Sequence, residues 1–301
     1  MLRLQRPLTN IVRYRCRLSY EHGASATPLV HKLIGDVLLR SVEHSPDKEY
    51  VVFSKQNIRK TYEQFYQDAC RLAKGLLSLG LRKGDRIGIW GPNYYEWTVT
   101  NYAASLAGMI TVTVNPAYQT EELRHALLSV GVKALVTPPK FRRSQYYETL
   151  AELMPSIRTA GIGEGNVESS ELPEFKHLIV FDKDEKSYEG AWNYRDIMMA
   201  GGSKERKILE SARQTMKIDD AINIQYTSGT TGLPKAATLT HHNLVNNAKF
   251  LGISMKYYDG DHKICIPCPL YHCFGCVMGL LSATYYKQTC IFLRRGLMLE
   301  L

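Results

Sequence analysis

The densest chemistry in the chain is the stretch Tyr226-Thr227-Ser228-Gly229-Thr230-Thr231-Gly232-Leu233-Pro234-Lys235. It sets hydroxyls at Thr227, Ser228, Thr230 and Thr231, glycines at Gly229 and Gly232, and a lysine at its end, between two runs that read as strands. Glycines let backbone N–H groups approach an anion closely, and hydroxyls and a lysine add donors and charge. Polyphosphate is the natural ligand of such a set. A solvated hairpin loop with an incidental lysine has the same composition, so these residues alone leave both readings open. The Walker phosphate loop, G-x-x-x-x-G-K-[ST], does not fit. Gly229 and Lys235 are correctly spaced, but Pro234 replaces the second glycine and Ala236 the magnesium-binding hydroxyl. The following element is also strand-like, whereas a Walker loop opens a helix.

A second cluster is cysteine-rich: Cys265-x-x-Cys268 and Cys273-x-x-Cys276, with His272 between them. Four thiols can hold zinc. Paired sites, however, space their halves by about 15–20 residues, and these pairs nearly adjoin. The favoured reading is cysteine as a small apolar residue of a buried strand and helix, and no metal ligand is assigned. His272 reads equally as a satisfied structural histidine or as a site residue. His241 and His242 suit a strand end and helix start, and Asp219-Asp220 a solvated turn. Seven cysteines in a chain this large fit reduced thiols better than a disulfide framework.

The elements that must position these groups follow from apolar spacing. Helical faces are expected over residues 29–42, from Thr61 to Leu79, and over 94–106, 121–129, 204–217, 242–251 and 275–285. Thr61 and Gln64 have capping-box spacing, and Gly80 is placed to end the helix they open. Strands are expected over 50–53, 86–90, 110–114, 133–137, 177–181, 221–226, 237–239, 263–268 and 288–293. Alternation with short turns argues an α/β fold built on parallel strands flanked by helices. Order weakens over 138–216, where Pro138-Pro139, Gly161 to Gly165 and the charged run 182–186 mark loops. The strand at 288–293 is expected to end an unfinished sheet with an unpaired edge.

On these motifs the chain resembles the adenylate-forming (AMP-binding) superfamily. The resemblance rests on Asp219 to Tyr226 followed by TSGTTGLPKAATLTHHNLVNN, in a strand–loop–strand context. It extends to Gly91-Pro92-Asn93 with Glu96-Trp97, Gly108, Asn115-Pro116 and Glu121-Glu122-Leu123, and to the acyl-pocket motif Pro269-Leu270-Tyr271-His272-Cys273-Phe274-Gly275. It spans residues 29–293, more loosely over 140–210. With the leader described below, the nearest likeness is to mitochondrial medium-chain acyl-CoA synthetases. The resemblance implies that a carboxylate attacks the α-phosphate of Mg-ATP and that coenzyme A then displaces AMP. ATP, Mg2+ and coenzyme A are thereby implied, with fatty acid as the other small-molecule substrate. Residues 227–235 would bind phosphate: Thr227, Ser228, Thr230, Thr231 and Lys235 as donors, Gly229 and Gly232 by backbone approach, Leu233 and Pro234 within the loop. Lys235 and His272 would serve catalysis.

Two departures stand out. Glycine usually follows the motif lysine, and here it is Ala236, which would strain the loop if that position needs a positive φ. The family's later motifs, including the ribose-holding aspartate and the C-terminal lysine, have no counterpart among the 301 residues. Residues 28–301 are therefore expected to form an incomplete N-terminal large domain, unable to turn over alone. The alternative is a catalytically inactive nucleotide-binding or regulatory fragment.

Composition bounds the remaining classes. Hydrophobic residues at 45% and charged residues at 22% exclude a disordered, collagen-like or coiled-coil chain. Residues 1–20 hold Arg3, Arg6, Arg13, Arg15 and Arg17 and no acid, so the net charge of +9 falls to +4 without them. No nucleic-acid footprint is expected on the remainder. An Arg-rich, acid-free segment with interspersed Leu, Ile and Val has the composition of a mitochondrial transit peptide, assigned to residues 1–27 and directing the chain to the matrix. The uncharged runs 97–120 and 264–286 are too polar and too proline-broken to read as transmembrane spans. Oligomeric state is not legible.

Overall fold

The computed structural model describes residues 25–227 and 233–293. Most of the leader, residues 1–24, and the loop residues Ser228, Gly229, Thr230, Thr231 and Gly232 lie outside the described residues. In chain order the elements are α1 (Ile34–His44), β1 (Glu49–Phe53), β2 (Ile58–Thr61), α2 (Tyr62–Ser78), β3 (Arg86–Trp90), α3 (Tyr95–Ala107), β4 (Ile110–Val114), α4 (Thr120–Leu128), β5 (Ala134–Thr137), α5 (Tyr146–Leu153), β6 (His177–Val180), β7 (Trp192–Asn193), α6 (Tyr194–Ala200), α7 (Ser203–Thr215), β8 (Ala221–Thr227), β9 (Lys235–Thr240), α8 (His241–Ser254), β10 (Lys263–Cys265), a π-helical segment (Phe274–Leu281) running into α9 (Ser282–Tyr285), and β11 (Thr289–Phe292).

Two sheets result. The larger has seven strands in the order β7-β6-β5-β3-β4-β8-β9. Its pairings are parallel, except that β8 and β9 form an antiparallel hairpin. Side chains alternate between its faces. Ile87 and Ile89 of β3 and Ala134 and Val136 of β5 join the core that holds α2 and α3. Trp90 and Leu135 face the second core, with α4 and α5. Burial on both faces is why these strands read as continuous apolar runs. The smaller sheet has the order β10-β11-β1-β2, with β11 parallel to both β10 and β1. A buried hydroxyl cluster ties it to the helices: Tyr50 and Tyr102 meet Thr284 Oγ1 at 2.7 and 2.6 Å.

Most expected elements are present, and the capping box is made. Gln64 N–H donates to Thr61 Oγ1 at 3.3 Å, and Thr61 N–H donates to Gln64 Oε1 at 3.1 Å. Gly80 adopts φ +90° just beyond α2. Four expectations are corrected. The first helix starts at Ile34, not 29, because Val30 is held extended by Asn246, which accepts its N–H at 2.8 Å and donates to its carbonyl at 3.0 Å. The expected weak region holds, besides the expected β6 and α7, the unexpected α5, β7 and α6, each too short to show a clear period. The strand at 263 stops at Cys265, since Pro267 and Pro269 have no N–H to donate. Finally, β11 is an interior strand, so the edges of the small sheet are β10 and β2. Among the described residues no helix is long and apolar enough to cross a membrane.

Candidate functional site

The β8–β9 hairpin brings Thr227 opposite Lys235. Because β8 runs parallel to β4, the hairpin opens at the carboxyl end of the large sheet. Thr227, Leu233 and Lys235 are exposed and Pro234 is half-buried. The Thr227 hydroxyl donates to the Lys235 carbonyl at 3.5 Å, a long contact that leaves its lone pairs available. The hairpin base rests on α4: His125 Nε2 donates to the Pro234 carbonyl at 3.1 Å, and the Tyr226 hydroxyl donates to the Ala126 carbonyl at 2.6 Å. Ala236 pairs with Tyr226 inside β9 and is not among the residues with positive φ. Alanine there is therefore unstrained.

At the same end of the sheet lies a cleft of about 790 Å³, which none of the described hairpin residues lines. Three of its walls come from segments just past β3, β4 and β5: Asn93 and Tyr94, Asn115 and Pro116, Lys140 to Arg142. Ligands of open parallel sheets bind outside the carboxyl ends of strands where connections diverge. Here β3 leads to β4 on one side, while β5 leads to β6 on the other. The small sheet closes the cleft with Phe53 and Phe292, joined by Ile266 just past β10.

Charged groups are few and one-signed. Among the described residues Lys55, Lys140 and Arg142 line the cleft and no Asp or Glu does. Lys55 Nζ stands 5.7 Å from the Tyr94 ring centre and 5.2 Å from that of Phe141, and Arg142 stands 5.2 Å from the Phe141 ring. Among the described residues none of the three cations has a carboxylate within ion-pair distance. An apolar cavity with unmatched cations suits an anion carrying an apolar body.

The motif at 269–275 forms another wall. Asn93 clamps it, donating to the Cys268 carbonyl at 2.9 Å and accepting the Leu270 N–H at 2.8 Å. Gly275 packs so tightly that a Cβ there would lie 2.3 Å from the Pro269 carbonyl oxygen. Tyr271 faces the cleft. His272 is exposed, does not line the cleft, and accepts the Phe274 N–H at Nδ1, 3.1 Å away. It caps the helical segment that starts there, so it is not a core histidine. Cys265 is exposed and Cys276 buried. Among the described residues no group of three or more His, Cys, Asp and Glu is arranged to hold a metal.

Lys235, Thr227, Leu233 and Pro234 thus sit together at the hairpin, while His272 stands apart. Sequence reasoning missed His125, which supports the hairpin, and Lys55, Lys140 and Arg142. Lys55 comes from the turn after β1 and Lys140 and Arg142 from the loop after β5, so only the fold brings them together.

A profile of the AMP-binding enzyme family matches residues 38–300. The chain belongs to that family. Among curated AMP-binding relatives, the mitochondrial medium-chain acyl-CoA ligase ACSF2 of Danio rerio is 45% identical over 92% of this chain and 45% of its own length. The Bos taurus protein of the same name is 40% identical over 91% of this chain and 44% of its own. The chain therefore spans about half the length of the curated relatives it matches. Two solved structures share the fold. The anthranilate CoA ligase AuaEII in complex with anthranoyl-AMP superposes with a TM-score of 0.69 at 21% identity, covering 89% of this chain and 46% of that one. A fatty acyl CoA synthetase of Mycobacterium tuberculosis gives 0.66 at 22%, covering 87% and 44%.

Proposed function

We propose that this chain supplies the phosphate-binding hairpin and the acid-binding cleft of an acyl-CoA synthetase that activates medium-chain fatty acids. The observation that carries the reading is that the Thr227–Lys235 hairpin opens at the same end of the sheet as an apolar cleft whose described walls hold cations and no acid. The reaction has two steps. A carboxylate oxygen attacks the α-phosphorus of ATP, and pyrophosphate leaves; the thiol of coenzyme A then attacks the acyl carbon, and AMP leaves. Donors from Thr227, Ser228, Thr230, Thr231 and Lys235, with backbone N–H groups at Gly229 and Gly232, would stabilise the charge that builds on pyrophosphate. Mg2+ would neutralise part of that charge, and no residue described here is assigned to it. Lys140 and Arg142 would draw the carboxylate toward the cleft. His272 would act through Tyr271, by fixing the segment that carries it.

The direct test is Mg-ATP binding to the purified chain, with and without octanoate. Saturable binding that pyrophosphate displaces and Lys235→Ala abolishes is expected. Binding that is absent, or indifferent to Lys235→Ala, overturns the reading. We further propose delivery to the mitochondrial matrix by residues 1–27, in keeping with the arginines of residues 1–20 and with the names of the relatives. A reporter carrying residues 1–30 should co-localise with a matrix marker, and a diffuse cytosolic signal would refute this.

A further inference from the structure

The end of α4 holds both sides of the hairpin. On the β8 side the Tyr226 hydroxyl donates to the Ala126 carbonyl at 2.6 Å and meets Ser129 Oγ at 2.9 Å. The final carbonyls of a helix have no partner within it, and Tyr226 satisfies one of them. On the β9 side His125 Nε2 donates to the Pro234 carbonyl at 3.1 Å. His125 and Ser129 are four residues apart and so share one face of the helix. The His125 ring also stands edge-on to that of Tyr226, with 6.4 Å between ring centres.

The two grips differ in what they reach. Tyr226 pairs with Ala236 inside the ladder, whose last described pair is Thr227 with Lys235. Pro234 lies just beyond that pair. A proline has no N–H, so the carbonyl is its one backbone hydrogen-bonding group. That carbonyl and the Lys235 N–H belong to one planar peptide. A bond that holds the Pro234 oxygen therefore fixes the Cα from which the Lys235 side chain leaves. Among the described residues, the His125 bond is what holds the chain beyond the ladder.

We propose that His125 is a positioning residue for Lys235. It acts through the Pro234 carbonyl and sets the point from which the lysine reaches a phosphate. That the reach serves a polyphosphate rests on the function proposed above; the grip on the hairpin does not. The helix that carries His125 begins just past Asn115 to Ala117 in the cleft wall. One short helix thus joins the cleft to the hairpin.

The test compares His125→Ala, His125→Asn and His125→Gln in the purified chain. A glutamine amide reaches the place of Nε2, whereas an asparagine amide stops near that of Nδ1. Amide hydrogen exchange at Lys235, Ala236 and Ala237 and the affinity for Mg-ATP are read on each. Alanine and asparagine should speed exchange and weaken Mg-ATP binding, each by about fivefold, the size of one lost hydrogen bond. Glutamine should restore both. Asp85→Asn, which breaks an ion pair with Lys133 at the opposite end of the sheet, should change neither, separating lost positioning from general loss of stability. Exchange unchanged by alanine and asparagine overturns the proposal. So does faster exchange with unaltered Mg-ATP affinity, or a glutamine variant no better than asparagine. Asparagine carries the comparison if alanine fails to fold. If the wild-type chain binds no Mg-ATP, the function proposed above fails, and the exchange rates alone decide whether His125 grips the hairpin.

Discussion

At the amino ends of the large sheet Lys133 meets Asp85 at 2.7 Å and Lys83 meets Asp220 at 2.7 Å, whereas at the carboxyl ends Lys55, Lys140 and Arg142 line a cleft with no acid among the described residues of its walls. Arg86, at the start of β3, is satisfied as well, donating from Nε to the Val130 carbonyl at 2.8 Å. His241 is buried at that end too and serves as an acceptor, taking the Ile34 N–H at Nδ1, 3.1 Å away. Matched charges and buried acceptors anchor turns without projecting a field. Unmatched cations around an apolar cavity concentrate anions. The same sheet thus keeps its paired polar groups at one end and cations without a described ion-pair partner at the other.

That division is open to attack by mutation and by pH. The largest effect should come from the binding end. In protein competent for octanoate-dependent ATP–pyrophosphate exchange, Lys235→Ala should slow exchange by about 10²–10³, or about 2.7–4 kcal/mol. An unchanged rate would remove Lys235 from the site. Next comes His241 at the structural end, whose pKa burial lowers from 6.5 to about 4. The unfolded chain then binds a proton that the folded chain refuses. Stability should fall as pH drops from about 6.5 to about 4 and level off below, by roughly 3 kcal/mol in all. Denaturant midpoints across that range should show the slope, and His241→Asn, which keeps an acceptor for Ile34, should remove this contribution.

Smaller effects sharpen the contrast. Lys140→Gln with Arg142→Gln should weaken octanoate binding by about fivefold, since two exposed charges contribute about 1 kcal/mol together. The loss should shrink at high salt, and the melting midpoint should not fall. Asp85→Asn should do the reverse. It should cost about 0.5–1 kcal/mol of stability and leave octanoate binding untouched. If the binding-end pair altered stability and Asp85→Asn altered binding, the division would collapse.

The sequence revealed most strands of the large sheet, because strands buried on both faces carry no charged residue between their ends. Residues 110–114 were expected as a strand and form one with those bounds. Hidden features were those set by distant partners. Residues 29–33 have helical spacing, but Asn246 captures the backbone of Val30. The strand at β2 carries Arg59 and Lys60 and shows no apolar run; it forms by pairing with β1. At the site, the hairpin was legible because its chemistry is contiguous. The cleft cations were not, since two loops far apart in sequence deliver them. His272 was conspicuous in sequence, yet a backbone N–H occupies its ring nitrogen.

The small sheet imposes a delay on the newborn chain. Val51 of β1 pairs with Cys290 of β11, so a strand made near the beginning has to wait for one made near the end. At about 5–20 residues per second, that wait is roughly ten to fifty seconds. Throughout it the apolar run Val51-Val52-Phe53 has only β2 beside it, since β11 does not yet exist. The small sheet around β1 can therefore close only after β11 has been made.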